Sequence, residues 1–391
     1  MRKLTLLFTL LLCVPCFAAS NFKILYDFRG GYNLGVPLNL VLVNNVLYGV
    51  AESGPSGGGV YSYDLATHRE SVLFSFQGYG SGSGPIGLIW DGQNFYGALE
   101  AYGNYCGAVY SLDMAGNETV LYAFTGANGD GCFPQGGVVE DSQGNLYGTT
   151  WNGGDATCNC GTVWELSNGV ETVLHAFTAG QDGSYPTHTT PVLDSAGNLF
   201  GVTYSGGGGP CVTTNQVDGC GVLYEVSNGS YSVVHSFGPT FGGAEGIVID
   251  ANDTLWGALF NQEFTIGYEN PGAIFSFTSS GQESEQQLAA GRNPADVTLD
   301  AAGNLYIVSP SSAPKRGKGG VLQGGVFKRA PDGQVSVLHI FPGNFYHTKK
   351  GSFPEAAVVL DSSGTVYGTT FRGGIQKGCN GSCGLLYRIE Q

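Results

Sequence analysis

Positive charge is scarce in this chain of 391 residues: 16 Lys and Arg stand against 31 Asp and Glu, a formal net charge of −15 at pH 7. A surface of that sign repels phosphate backbones and argues against nucleic acid as a partner. Charged residues of both signs make up only 12%, yet hydrophobic residues reach 42%, so the chain has enough apolar surface for a core and is not disordered. Beyond its first twenty residues it has no apolar run long enough to span a bilayer, which excludes a later membrane anchor. Phosphate-cradling glycine loops are missing too, so nucleotide enzymes drop out. No Cys or His set has zinc-like spacing, and Cys158-Asn159-Cys160 alone makes a poor metal site. Neither a metal nor any other cofactor is expected.

Glycine, by contrast, is abundant at 65 residues, and 21 Tyr and 22 Phe accompany it. Short aromatic-rich strands joined by glycine turns have this profile. Residues 1–19 read as a signal peptide, with Arg2 and Lys3 ahead of the apolar run Leu4 to Val14 and small residues near Ala18. Its removal takes Cys13 and Cys16 and leaves eight cysteines, an even count that reads as disulfides in an exported chain. Cys211 with Cys220 and Cys379 with Cys383 close small loops at one place in their repeats. Cys158 and Cys160 occupy the same place, but a single intervening residue strains a direct bond. Cys106 pairs with Cys132, with Cys132 to Cys158 or Cys160 as the rival pairing.

An aromatic residue, in six of seven cases followed by glycine, recurs at intervals of about fifty residues: Tyr48, Tyr96, Tyr147, Phe200, Trp256, Tyr306 and Tyr367. Around each lie four strand candidates. In the third repeat these are Gly137 to Asp141, Asn145 to Thr150, Gly161 to Leu166 and Glu171 to Phe177, with turns at Ser142-Gln143-Gly144 and Ser167-Asn168-Gly169. Asp141, Asp194, Asp300 and Asp361 open equivalent turns, where aspartate bonds the backbone ahead of it and glycine supplies positive φ. Lys23 to Phe28 is a fourth strand with no first three, and Leu385 to Ile389 is a third strand with no fourth. A ring in which the N-terminal strand completes the last sheet uses both. The expected fold is all-β: residues 20–391 as one seven-bladed β-propeller of four-stranded antiparallel blades, whose closure leaves no open edge.

The segments Leu-Asp-Ser-Ala-Gly-Asn-Leu-Phe-Gly (193–201) and Glu-Asp-Ser-Gln-Gly-Asn-Leu-Tyr-Gly-Thr-Thr (140–150), each followed by a glycine loop and a Gly-x-Val-Tyr-like strand, carry a resemblance. They resemble the Gloeo/Verruco, or GloVer, tandem repeats of exported bacterial proteins. The likeness covers nearly all of residues 23–390, with blades one, five and six departing from it. It implies export and a propeller, and it carries no catalytic residues with it.

Function in such a ring gathers at the channel mouth and the loops that enter each blade. Glu245, Asp296 and Glu355 each precede the turn aspartate of their blade by four to six residues, and His188 lies near the same level. Carboxylates sharing a partly dry channel push one another's pKa upward, which acid–base chemistry on glycosides or uronates requires. The unequal offsets argue that these side chains need not face each other. Trp151, Tyr185 and Phe133 are candidates for stacking on sugar rings, and Asp130 and Asp182 mark the Asp-Gly-x-x-Pro entry loops. The leading expectation is a secreted, monomeric, non-catalytic module that binds an extracellular glycan or protein. An extracellular carbohydrate-active hydrolase or lyase is the alternative, and an envelope-assembly role the third.

Overall fold

The computed structural model describes residues 21–30, 34–53, 57–78, 82–103, 105–186, 189–208, 219–238, 243–259, 272–288, 292–312, 324–341, 350–374 and 383–391. Seven four-stranded antiparallel sheets follow one another along the chain, and no helix occurs among the described residues. Blade one is Gly35–Val43, Val46–Ser53, Gly59–Asp64 and Arg69–Ser75, ordered from the axis outward. Blade seven is built from Val359–Leu360, Val366–Thr370 and Leu385–Glu390, and its outermost strand is Asn21–Asp27 from the other end of the chain. The register runs from Asn21 opposite Glu390 to Asp27 opposite Leu385. The two orphan strands therefore complete one sheet, and the ring closes as its sequence requires.

The aromatic-glycine pair has a steric cause. Each repeat glycine lies directly across from the aromatic of the third strand: Gly49 opposite Tyr61, Gly97 opposite Tyr110, Gly148 opposite Trp164, Gly201 opposite Tyr224, Gly257 opposite Phe275 and Gly368 opposite Tyr387. A β-carbon on Gly97 would stand 2.7 Å from the Tyr110 hydroxyl, and on Gly49 2.5 Å from that of Tyr61. The ring of one strand thus lies flat over the bare backbone of its neighbour. Blade six breaks the rule consistently. Ile307 replaces the glycine, and the ring of its partner Phe327 turns instead onto Gly325.

The repeat aromatic itself is held by the turn aspartate. Asp141 Oδ1 accepts the backbone N–H groups of Gln143 at 2.8 Å and Asn145 at 2.9 Å, and Oδ2 accepts the Tyr147 hydroxyl at 3.0 Å. The same bond runs from Tyr306 to Asp300, from Tyr367 to Asp361 and from the Trp256 indole N–H to Asp250. Burial raises the Asp141 carboxyl, but these donors outweigh it and hold the group below the usual carboxylate range. Asp141→Ala leaves the backbone donors of the turn without their acceptor and is expected to lower stability by about 1–2 kcal/mol. A denaturant melt with an unchanged midpoint would contradict this.

Neighbouring blades lock through a second recurring device. Val36, Phe133, Tyr185 and Phe353 all have φ between 53° and 57°, and each precedes a proline. The proline ring packs onto a glycine of the preceding blade: Pro37 on Gly384, Pro134 on Gly107, Pro186 on Gly161 and Pro354 on Gly324. The left-handed residue sends its backbone N–H back to the preceding blade, Val36 to Cys383 at 2.7 Å, Phe133 to Cys106 at 2.9 Å and Tyr185 to Cys160 at 2.8 Å. The carbonyl of the joint glycine takes the N–H of the outermost strand's terminal phenylalanine, as in Phe124 to Gly107 and Phe177 to Gly161. In blade five, where the outermost strand is the polar Glu283–Gln287, Leu288 fills the phenylalanine's place and bonds Gly272 in the same way.

The disulfides sit beside these joints. Cys106 is bonded to Cys132, which removes the rival pairing of Cys132 with Cys158 or Cys160. Cys158 is bonded directly to Cys160, contrary to the expectation that one intervening residue disfavours it. The turn Asp155–Cys158, in which Asp155 accepts the N–H groups of Thr157 and Cys158, brings the two sulfurs together. Cys220 and Cys383 are also disulfide-bonded. Their expected partners Cys211 and Cys379, like the expected signal peptide of residues 1–19, lie outside the described residues.

Candidate functional site

All seven blades contribute to the wall of one cavity of 630 Å³ on the propeller axis. Glu245, Asp296 and Glu355 all line it, so the structure brings together the three carboxylates singled out from the sequence. Their unequal spacing has a local explanation. The strand Ala244–Ile249 carries a bulge between Glu245 and Ile247, at Gly246 with φ of 56°, whereas the strand Asp296–Leu299 runs without one. The bulge absorbs the extra residue and turns Glu245 back toward the axis. Gly246 also makes room for its neighbour, because a β-carbon there would meet Asp296 Oδ1 at 2.7 Å.

Two further carboxylates, Glu52 and Glu100, line the same cavity and were not singled out. Both stand four residues after the repeat aromatic, at the exit of the second strand. Counting from the aromatic puts Glu52, Glu100, Trp151, Tyr204, Pro310 and Phe371 at one structural level. Glu52, Glu100, Pro310 and Phe371 face the cavity. Trp151 instead packs against Tyr185 at 5.2 Å and Tyr204 at 6.0 Å between ring centroids. The level is thus acidic on one side and aromatic on the other, and Tyr204 lies near enough to Glu245 to feel its charge.

Electrostatically the three inner carboxylates are not ordinary. Burial pushes Glu245 up to about 7, and the charges of Asp296 and Glu355 add to it. Burial pushes Asp296 up to about 6 against the pull of two backbone N–H groups, Val297 at 2.9 Å and, from the next blade, Ala357 at 2.8 Å. Glu355 rises to about 7 through burial, eased by Arg372 and reinforced by Glu52, which is itself raised by burial and by Glu100. The Glu355 side chain meets water in the channel while protein surrounds it. Among the described residues no donor bonds the Glu245 carboxylate, whereas Asp296 is satisfied by backbone. Groups in this state exchange protons near neutrality, which is what general acid–base work needs.

The remaining candidates are placed differently. Asp130 turns back on its own loop, accepting the backbone N–H and hydroxyl of Thr125, each at 2.6 Å. Asp182 accepts Thr178 and Gly180 in its loop and pairs with His175 Nε2 at 3.0 Å. Phe133 and Tyr185 are the left-handed joint residues described above, although the Tyr185 ring also meets Trp151. His175 stacks on Tyr231 of the next blade at 3.6 Å, as His339 stacks on Phe22 at 3.8 Å, so these histidines join blades. His188 lies outside the described residues. Among the described residues no three His, Cys, Asp or Glu side chains are grouped so that they share one metal ion.

The repeats themselves decide the family. The profile of the Gloeobacter/Verrucomicrobia repeat matches residues 14–214, the stretch that holds blades one to three and the inner strands of blade four. The chain belongs to this repeat family. Within it, the aromatic-glycine pair and the turn aspartate are the residues whose contacts build each blade. No curated protein sequence matches the chain. Its fold is similar to that of the oligogalacturonate lyase from Vibrio parahaemolyticus, at TM-score 0.60 and 11% identity over 95% of this chain and 97% of that one. An oligogalacturonate lyase in complex with manganese is similar at TM-score 0.58 and 13% identity, over 95% and 94%. At these identities the likeness is one of fold.

Proposed function

We propose that this repeat protein works outside the cytoplasm as a receptor for a small, hydroxyl-rich ligand of the carbohydrate class, bound in the axial cavity. The observation that carries the reading is the cavity itself. Its 630 Å³ falls within the usual range for small-molecule sites, and its wall combines apolar side chains such as Leu38, Ile86 and Phe371 with convergent carboxylates. Carboxylates accept hydrogen bonds from sugar hydroxyls, and apolar and aromatic faces cover the ring carbons. A concave site of this size favours a glycan over a protein partner. The leader-like residues 1–19 and the disulfides support export.

A polyuronate is a poor fit despite the shared fold of the lyases. Among the described residues the lining carries Glu52, Glu100, Glu245, Asp296 and Glu355 and no Lys or Arg. A second reading, acid–base cleavage of a neutral saccharide, is favoured by one observation: Glu245 and Glu355, both raised to about 7, share the cavity.

A glycan array probed with the full protein and with Glu245→Gln tests both readings. Saturable binding that weakens at least tenfold in the variant, with the saccharide recovered intact, supports the receptor. Chain shortening that falls a hundredfold or more in Glu245→Gln or Glu355→Gln moves the assignment to the enzyme. Binding that both variants leave untouched removes the cavity from either role.

A further inference from the structure

Resting on the reading that the axial cavity is the ligand site, we infer that its ligand is an organic cation of the amino-sugar class, a hydroxyl-rich body carrying a protonated amine. Five blades each send one carboxylate into the cavity: Glu52, Glu100, Glu245, Asp296 and Glu355. No cationic side chain lies among the described lining residues. Among the described residues Arg372 is the cation that acts on Glu355, and its guanidinium also stands over the rings of Phe353 at 5.2 Å and Phe371 at 5.9 Å. Among the described residues the five carboxylates are offset by Arg372, which eases Glu355, and by the two backbone N–H groups on Asp296.

A second observation points the same way. Glu245 is half-buried, faces the cavity and, among the described residues, takes no hydrogen bond from a protein donor. A half-buried carboxylate without a donor is costly, and protonation or an incoming cation relieves it. A ligand ammonium brings both the opposite charge and three N–H donors. A neutral sugar brings donors without charge, and a uronate adds repulsion. Since the described carboxylates form no three-membered group suited to one metal ion, their charge is spread around the wall, which suits an extended molecule better than a point charge.

The geometry also couples capture to protons. Glu245 is faced by Asp296 and Glu355 and lies near Tyr204; Glu355 is faced by Glu52 and Arg372; Glu52 is faced by Glu100. A cation entering this set favours the ionised form of each carboxylate it meets, so binding expels protons and strengthens as pH rises.

The test is calorimetric titration of the full protein with three probes, a glucosamine tetramer, its fully N-acetylated counterpart and a galacturonate tetramer, at pH 6.5, where the amines still carry protons, and at pH 4.5. The glucosamine tetramer is expected to bind at least tenfold more tightly than the acetylated one at pH 6.5. That preference should shrink to threefold or less at pH 4.5, and it should be lost in Glu245→Gln at pH 6.5. Glu285→Gln, an exposed position on blade five's outermost strand, should leave it intact and so exclude adsorption to the acidic surface. Equal affinity for the free and acetylated tetramers, still sensitive to Glu245→Gln, overturns the cationic ligand and leaves the cavity reading standing. Binding that survives Glu245→Gln and Glu355→Gln, or no binding by any probe, overturns both.

Discussion

Gly201→Ala is expected to destabilise the propeller by about 3 kcal/mol or more, because the new methyl has nowhere to go. The atoms a Gly201 β-carbon would overlap all belong to Tyr224, at its hydroxyl and ring. Tyr224 is fully buried, packed by Phe177 and Tyr231, and cannot swing aside. A double-mutant cycle isolates the contact. Tyr224→Leu alone leaves a cavity and costs about 2–4 kcal/mol, but once it is made, Gly201→Ala should add less than about 1 kcal/mol. That strong non-additivity is the signature of two residues competing for one space. Gly197, which has positive φ and no atom within 4 Å of a β-carbon, serves as the contrast, since alanine there meets only backbone strain and costs about 1 kcal/mol. Additive behaviour at positions 201 and 224 would show that the repeat glycine is kept for some reason other than the ring above it. Blade six already hints at the answer, because Ile307 is accommodated there by turning Phe327 onto Gly325.

That steric pairing explains why so much of the architecture was legible. The aromatic and its glycine recur because every blade repeats one contact, and the unpaired strands at Lys23 and Leu385 can be satisfied only by each other. Strand lengths were harder to read. The innermost strand of blade three is only Val139–Glu140, shorter than the apolar run Gly137 to Asp141, because Gly136 and Gly137 pack so closely against Thr189 and Thr190 of the next blade that pairing starts later. The site was half legible for a related reason. Counting back from the turn aspartate finds carboxylates on innermost strands, but a bulge such as that at Gly246 shifts the count without changing the sequence pattern. Glu52 and Glu100 sit on second strands, where only a count from the aromatic reaches them. In the entry loops, Asp130 and Asp182 look like free acids in sequence, yet Asp130 Oδ2 and both oxygens of Asp182 are occupied by their own loops. An aspartate's neighbours in space decide whether it can meet a ligand, and three-residue spacing does not reveal them.

Replacing Glu245 with glutamine is expected to make the protein more stable at pH 8 and to change nothing at pH 4. The sign follows from linkage. The Glu245 carboxyl sits at about 7 in the folded chain and at 4.5 in its ordinary state, through burial first and then Asp296 and Glu355. The folded chain therefore holds its proton more tightly, and stability falls as pH rises from about 4.5 to about 7, levelling off above that. Below the window Glu245 is protonated in both states, and glutamine is its near-isostere. Each unit of displacement is worth about 1.4 kcal/mol, and with channel water screening part of the charge a net gain of about 2 kcal/mol at pH 8 is a fair expectation, a rise of a few degrees in Tm. The turn aspartates act in the opposite sense. Asp141, Asp250, Asp300 and Asp361 are held below 3.8, so their contribution is lost as pH falls, equally in both proteins. Melts at pH 4, 6 and 8 should thus show a difference between variant and parent that opens with pH. A difference constant across pH, or a variant less stable at pH 8, would mean that Glu245 is paired in the folded state after all. Under the proposed receptor role, a carboxylate that weakens the fold at neutral pH serves the ligand it meets in the cavity, so the same variant should be the more stable protein and the poorer receptor.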